Sequence, residues 1–287
     1  MMAKDTFLNR KITLNSRGKL IDLSTPAVMA ILNLTPDSFY SQSRIENTDA
    51  ALKATDKFLN EGAKFIDLGA YSSRPGATNI SEEEELERLV PVVEAISSTF
   101  PEALLSVDTF RSKVAEEAIL AGAHLINDIS AGELDQKMFE TIAKLQVPYI
   151  MMHMKGTPQT MQQDPVYENI ILEIATYFSK KIAELRELGV NDLIIDPGFG
   201  FAKTISHNYE VLQHLDSLKI FDLPILVGFS RKSMVTKVLN NKFADALNGT
   251  SILNTISLLK GATILRVHDV KEAVECIKLT EQAKNYA

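Results

Sequence analysis

Two short segments near the end of the chain concentrate groups that can hold a phosphate: Gly228-Phe-Ser-Arg-Lys-Ser233 and Arg266-Val-His268. Arg266 and His268 are two residues apart, so on a strand their side chains share one face. Such a pair can grip a phosphoryl or pyrophosphate group, Arg bidentately and His through a ring N–H. Arg231 or Lys232 alone reads equally well as a solvated loop cation. Earlier in the chain Asp108 and Asp196 close apolar runs, and Asn127 closes another. An ionised carboxylate at a partly desolvated position is costly unless paired, so two of them suggest a ligand that presents donors. The rival account for Asp108 is pairing with Arg111 or capping of the next helix. Asn33, followed by Leu-Thr-Pro-Asp-Ser-Phe39, either bonds a neighbouring turn or offers a neutral oxygen to Mg²⁺, which takes few protein ligands.

Other residues are less pointed. Asp196-Pro-Gly-Phe-Gly-Phe-Ala-Lys203 is a glycine-bearing turn that lets backbone approach a ligand, but it is neither a Walker loop nor a dinucleotide fingerprint. His153 reads as a core or supporting histidine, and His124, His207 and His214 as structural. Paired cysteines, an HExxH pair and a serine nucleophile elbow are all missing from the sequence. The inventory is one of binding groups, which favours a reaction whose substrate brings its own leaving group.

These residues stand at the ends of eight short apolar runs, which stop at Asn33, Gly69, Asp108, Asn127, His153, Asp196, Ser230 and His268. Continuously apolar strands belong to a parallel sheet covered on both faces. Between them lie segments of helical spacing with end signals. Ser81 and Glu84 have the spacing of a capping box, and Pro91 is expected to kink or restart the helix they open. Asp164-Pro165 reads as N-cap and first-turn proline of a helix through Leu188, while Gly62, Gly122 and Gly261 close helices before strands. Strand, loop and helix repeated eight times predict a (β/α)₈ TIM barrel, with its chemistry at the carboxyl ends of the strands. Residues 12 to 23 predict a hairpin with its loop near Ser16 to Gly18, placed as a plug under the barrel floor. The expectation is one domain over residues 1–287, with residues 1–27 as an N-terminal hairpin extension.

Composition bounds the partners. The chain of 287 residues is 45% hydrophobic and 23% charged, and it lacks the apolar run of roughly 18 residues that a membrane span needs. A lone cysteine, Cys276, and an N-terminus without a secretory apolar core predict a cytoplasmic protein. A formal net charge of −7 argues against nucleic acid and acidic membranes as partners, so an anionic substrate needs locally placed cations. The run Glu82 to Glu85 reads as a solvated helix face at the favourable end of the helix dipole.

With these residues in place, the chain resembles the dihydropteroate synthases. The matching segments are Ile31 to Phe39, Ile66 to Ala77, Ser106 to Thr109, Ile126 to Ile129, Met152 to Met154, Asp196 to Gly200, Gly228 to Ser233 and Arg266 to Val270, in order at all eight strand ends. The resemblance implies a barrel enzyme of folate synthesis. It would join 4-aminobenzoate to 6-hydroxymethyl-7,8-dihydropterin pyrophosphate and release pyrophosphate before the amine attacks. Carried over to matching positions, it implies pterin contacts from Asp108, Asn127, Asp196 and Lys232, with Met154 and Gly200 among the substrate-binding residues. Asn33, Arg266 and His268 fall at the pyrophosphate and Mg²⁺ positions, with Asn33 as the metal ligand. Ser73, Arg74, Pro75 and Ser233 fall in the loops around aminobenzoate. Asn33, Lys232, Arg266 and His268 would carry catalysis, and homodimers are the common assembly. Tyr71, Ser73 and Ala202 stand where the family commonly has Glu, Thr and Gly. A pterin-binding methyltransferase or a non-catalytic pterin-binding paralogue is the alternative reading.

Overall fold

A computed structural model describes residues 12–34, 44–71, 79–156, 165–242 and 245–286. The predicted hairpin is present: β1 (Thr13–Ser16) and β2 (Lys19–Asp22) pair antiparallel across Arg17-Gly18. Both turn residues have positive φ, +53° and +79°, which is the twist a two-residue hairpin loop requires.

Eight parallel strands follow, separated by helices. They are β3 (Ala27–Asn33), β4 (Phe65–Gly69), β5 (Leu104–Asp108), β6 (Leu125–Asp128), β7 (Tyr149–Met152), β8 (Leu193–Asp196), β9 (Leu226–Val227) and β10 (Ile264–Val267). The hydrogen-bonded order is β8-β7-β6-β5-β4-β3-β10-β9, and a parallel bridge between Ile195 and Ile225 joins the two ends into a closed barrel. β9 and β10 are shorter than the sequence suggests, so Ser230 and His268 sit just beyond their strands.

Around the barrel run α1 (Arg44–Glu61), α2 (Glu82–Thr99), α3 (Ser112–Leu120), α4 (Met138–Leu145), α5 (Ile170–Glu187), α6 (Ile205–Gln213), α7 (Ser233–Leu239), α8 (Leu247–Leu259) and α9 (Val270–Lys284), with a 3-10 helix over Leu215–Phe221. Ser81 caps α2 by accepting from Glu84 N at 3.1 Å, and the helix continues through Pro91 to Thr99. Gly62, Gly122 and Gly261 have φ of +101°, +119° and +103°, the left-handed geometry expected where a helix turns into the next strand. One predicted start is wrong. The fifth helix begins at Ile170, where Asn169 accepts from Leu172 N at 3.0 Å; Pro165 lies five residues ahead of it and Asp164 outside the described residues. The Asn side chain supplies a cap that the Asp-Pro pair signalled too early.

The period of two along each strand divides the barrel interior into levels. The lower level is Met29, Phe65, Leu104, Leu125, Ile150, Ile194, Leu226 and Ile264, which form one cluster with Leu14, Ile21 and Leu23 of the hairpin segment. The hairpin is therefore the floor plug. It is fastened by Asn15 N donating to Asp192 Oδ1 at 2.8 Å and Ser16 Oγ donating to the His124 carbonyl at 2.7 Å. A second, larger cluster fills the space between the outer strand faces and the helices. Among the described residues no helix is long and apolar enough to cross a membrane.

Candidate active site

Above the apolar level the inward positions change character. Two residues past Phe65, Leu125, Ile194 and Ile264 stand Asp67, Asn127, Asp196 and Arg266; four past Leu104 stands Asp108, and four past Met29 stands Asn33. Strand geometry alone thus collects the polar groups inside one rim.

Arg266 is the centre of the array. Its Nε donates to Asp67 Oδ2 at 2.6 Å and its Nη2 to Asp108 Oδ2 at 2.7 Å. Asn127 Nδ2 also donates to Asp67 Oδ2, at 3.1 Å. Both structural accounts of Asp108 fail, because Arg111 pairs with Glu85 instead and the first N–H of α3, that of Ser112, is taken by Asp135 Oδ2 at 2.7 Å. Glu85 is consequently fully buried, bonded to Thr109 at 2.8 Å, and is not part of a solvated acidic face.

Desolvation dominates the protonation of this rim. It lifts the Asp108 carboxyl to about 7, against the pull of Arg266 and helped by the charge of Asp67. Asp196 is likewise raised by burial, with Lys232 opposing. Lys232 falls to about 8 as burial outweighs Asp196 and Asp108. Burial also works against the Arg266 cation, but its two carboxylate partners hold it more firmly protonated than a free arginine.

The loop after β8 shapes one wall. Asp196 Oδ1 accepts from Gly198 N at 2.7 Å, and Lys232 donates to the Phe199 carbonyl. A Cβ on Gly200, at φ +82°, would come within 3.1 Å of Lys232 Cδ, so this glycine makes room for the lysine stem. Lys232 Nζ also lies 4.9 Å from the centre of the Phe201 ring. Buried Met154 joins Ile129, Met152 and Ala202 in an apolar shelf flanked by Phe110, Leu134 and Phe201. Beneath that wall Lys203 Nζ contacts His153 Nδ1, the Gly198 carbonyl and the Phe201 carbonyl, each at 3.1 Å. Burial first, and then the Lys203 charge, push His153 down to about 2, so it stands neutral as a supporting group.

The opposite wall carries donors. Ser230 Oγ accepts from His268 N at 3.3 Å and lies 2.9 Å from His268 Nδ1. The contact holds the imidazole by its Nδ1 edge, with Nε2 on the far side of the ring. Arg231 turns away to Asp269 at 2.8 Å, so only Lys232 of the predicted cation pair serves the rim. Ser233 is exposed in the first turn of α7, and Asn33 is half-buried at the mouth. Ser73, Arg74 and Pro75 lie outside the described residues.

Asp67 and Lys203 are not among the residues that the sequence singles out for the site. Asp67 was signalled by a charge inside the run Phe-Ile-Asp-Leu-Gly, and Lys203 by its place at the end of a turn already singled out.

A closed barrel with a polar rim of acceptors, an apolar shelf and adjacent phosphate-type donors defines a heterocycle-binding enzyme, and the family model for pterin binding enzymes matches residues 29–268. The chain is 44% identical over 268 residues to the dihydropteroate synthase of Escherichia coli K12, covering 93% of this chain and 94% of that one. It is 42% identical to the dihydropteroate synthase of Haemophilus influenzae, covering 95% and 99%. A dihydropteroate synthase of Yersinia pestis, solved as a sulfonamide drug complex, superposes with a TM-score of 0.90 at 44% identity, over 96% of this chain and 100% of that one. The chain belongs to the pterin binding enzymes and, within them, to the dihydropteroate synthases.

Proposed function

We propose that this rim condenses 4-aminobenzoate with 6-hydroxymethyl-7,8-dihydropterin pyrophosphate, giving 7,8-dihydropteroate and pyrophosphate. The observation that carries the reading is the make-up of the rim around Arg266: the carboxylates of Asp67 and Asp108 bonded to its guanidinium, the Asn127 amide bonded to Asp67, and the His268 imidazole held by Ser230 two residues further along. A pterin ring edge of N–H groups suits the acceptors Asp108, Asn127 and Asp196, with its flat face on the Met154 shelf and backbone near Gly200. Charge-assisted bonds of this kind are worth roughly 1.5 to 3 kcal/mol each.

Bond breaking sends the electrons of the pterin C–O bond to the departing pyrophosphate, and the aminobenzoate nitrogen then bonds to the freed methylene carbon and loses a proton. Arg266 and His268 stabilise the charge that develops on the leaving group, and Lys232 holds the pterin side of the pocket. Asn33 suits Mg²⁺: it offers a neutral oxygen at the mouth, on the strand that pairs with the Arg266 strand. Among the described residues no three His, Cys, Asp or Glu side chains cluster as a metal cage, and Asn33 would hold Mg²⁺ as one of the few protein ligands that ion takes. When bound, Mg²⁺ supplies charge neutralisation to the pyrophosphate. Ser73, Arg74, Pro75 and Ser233 are assigned to aminobenzoate through the family resemblance.

For assembly we propose a homodimer through the helices after β9. Ile252 and Leu259, seven apart on α8, are 49% and 59% exposed, and Leu279 on α9 is 73% exposed. Light scattering on the purified protein would return the dimer mass, and a monomer across micromolar concentrations would remove this assignment.

The functional test is pyrophosphate release with dihydropterin pyrophosphate and Mg²⁺, with and without 4-aminobenzoate, followed by mass detection of dihydropteroate. Coupled release and product are the expected result. Intact protein and substrates without release would overturn the synthase reading.

A further inference from the structure

Asp67 sits halfway up the barrel interior with no exposure, and one of its oxygens makes both of its hydrogen bonds. Oδ2 accepts from Arg266 Nε and Asn127 Nδ2. Oδ1 has no hydrogen-bond partner among the described residues, and neither has the hydroxyl of Ser106, its register neighbour on β5. A buried carboxylate with half of its acceptor capacity unused is a poor stabilising element, since partly satisfied buried polar groups cost more than they return. What the arrangement does fix is direction.

A carboxylate paired with Arg266 offers only lone pairs. The Asn127 amide must therefore turn Nδ2 toward Asp67, which leaves its carbonyl oxygen as the group offered to a ligand. The same oxygen occupies Nε of Arg266 while Asp108 occupies one Nη2 hydrogen. Of five guanidinium N–H groups, the other three, all on the Nη edge, have no hydrogen-bond partner among the described residues.

We infer that Asp67 is a positioning residue that sets the hydrogen-bond polarity of the pterin pocket, holding Asn127 as an acceptor and Arg266 with its Nη edge toward the leaving group. The inference rests on the synthase reading. Without the Asp67 charge, the Asn127 amide is free to turn over and set its NH₂ against the donors of the pterin.

The test uses Asp67→Asn and Asp67→Ser in the whole enzyme, with calorimetric binding of 6-hydroxymethylpterin, KM for both substrates, and Tm. In either variant the pterin Kd and KM rise at least tenfold, the 4-aminobenzoate KM stays within about twofold, and Tm is held or raised. The swap Asp67→Asn/Asn127→Asp keeps total charge and restores one donor facing one acceptor, so it regains at least fivefold in pterin affinity over Asp67→Asn. A folded variant with unchanged pterin KM, or a fall in Tm with both KM values unchanged, overturns the inference while leaving the enzyme a synthase. So does a swap no better than the single variant. A wild-type protein that binds no 6-hydroxymethylpterin overturns the synthase reading and this inference with it.

Discussion

The lower and upper halves of the barrel interior are built on the same eight strands with the same alternation, and they are governed by opposite physics. Below, Phe65, Leu125, Ile194 and Ile264 meet the hairpin side chains in a sealed apolar layer. Two residues further along those strands, Asp67, Asn127, Asp196 and Arg266 crowd charges into a space that water barely reaches. The lower layer gains free energy from every apolar surface it removes from water. The upper layer loses some with every charge it desolvates, which is why the Asp108 and Asp196 carboxyls rise and Lys232 falls in pKa. Stability and function are thus separated by about 7 Å of strand, two residues of rise.

That separation is tested most strongly from below. Phe65→Ala empties a large, fully buried position, so it should cost about 3 to 5 kcal/mol in denaturant unfolding. The folded enzyme should keep kcat/KM within about threefold. A collapse of kcat/KM in folded Phe65→Ala would show that floor and rim are one mechanical unit.

The converse changes lie above. Asn33→Ala or Arg266→Ala should lower turnover at least tenfold, about 1.4 kcal/mol or more of transition-state stabilisation. Asp196→Asn should raise the pterin KM tenfold to a hundredfold, because an amide donor then faces a donor, while Tm stays level or rises as a buried charge is removed. Wild-type rates in Arg266→Ala would remove it from the chemistry, and a lower Tm in Asp196→Asn would mean that the rim carries stability after all.

Much of this contrast was legible in the sequence. The apolar runs gave eight strands and their order because a covered parallel sheet leaves an uninterrupted hydrophobic signature, and the polar residues closing most of the runs marked the rim. Asp67 escaped because it stands inside a run, where its partner Arg266 is 199 residues away and only barrel closure brings them together. Lys203 escaped because its contacts are with a histidine ring and backbone carbonyls, which sequence spacing does not encode. The spacing pairs Arg231 with Lys232 as cations after β9, yet Arg231, at φ +58°, bonds Asp269 instead. The start of α5 was misplaced since Asp-Pro and Asn169 are both valid caps, and tertiary packing of Ile170 and Ile174 chose between them.

Lys203 offers a finer test of desolvation in the upper half. Burial lowers its pKa from 10.5 to about 7, with Asp196 opposing and Lys232 assisting. The unfolded chain therefore holds a proton between about 7 and 10.5 that the folded chain has released, and stability attributable to this group rises with pH through that window. The stability of the wild type relative to Lys203→Met should increase by up to about 1.4 kcal/mol per pH unit above pH 7. Urea titrations at pH 7, 8 and 9 measure it, and a flat difference would mean that the surrounding acceptors keep the ammonium charged.

The smallest expected effect belongs to the hairpin turn that carries the floor. Arg17 is exposed and adopts φ +53°, a region where a long L side chain is strained and asparagine is at ease. Arg17→Asn should therefore stabilise the protein by about 0.5 kcal/mol, near 1 °C in Tm, with no change in either KM. Arg17 also helps hold His124 down at about 4, after burial, so the variant additionally loses a cation beside that ring. If the turn only shapes the plug, the gain appears and is independent of pH above 6. A loss of stability would instead assign the Arg17 side chain a contact role, and the floor would owe part of its strength to charge as well as to apolar packing.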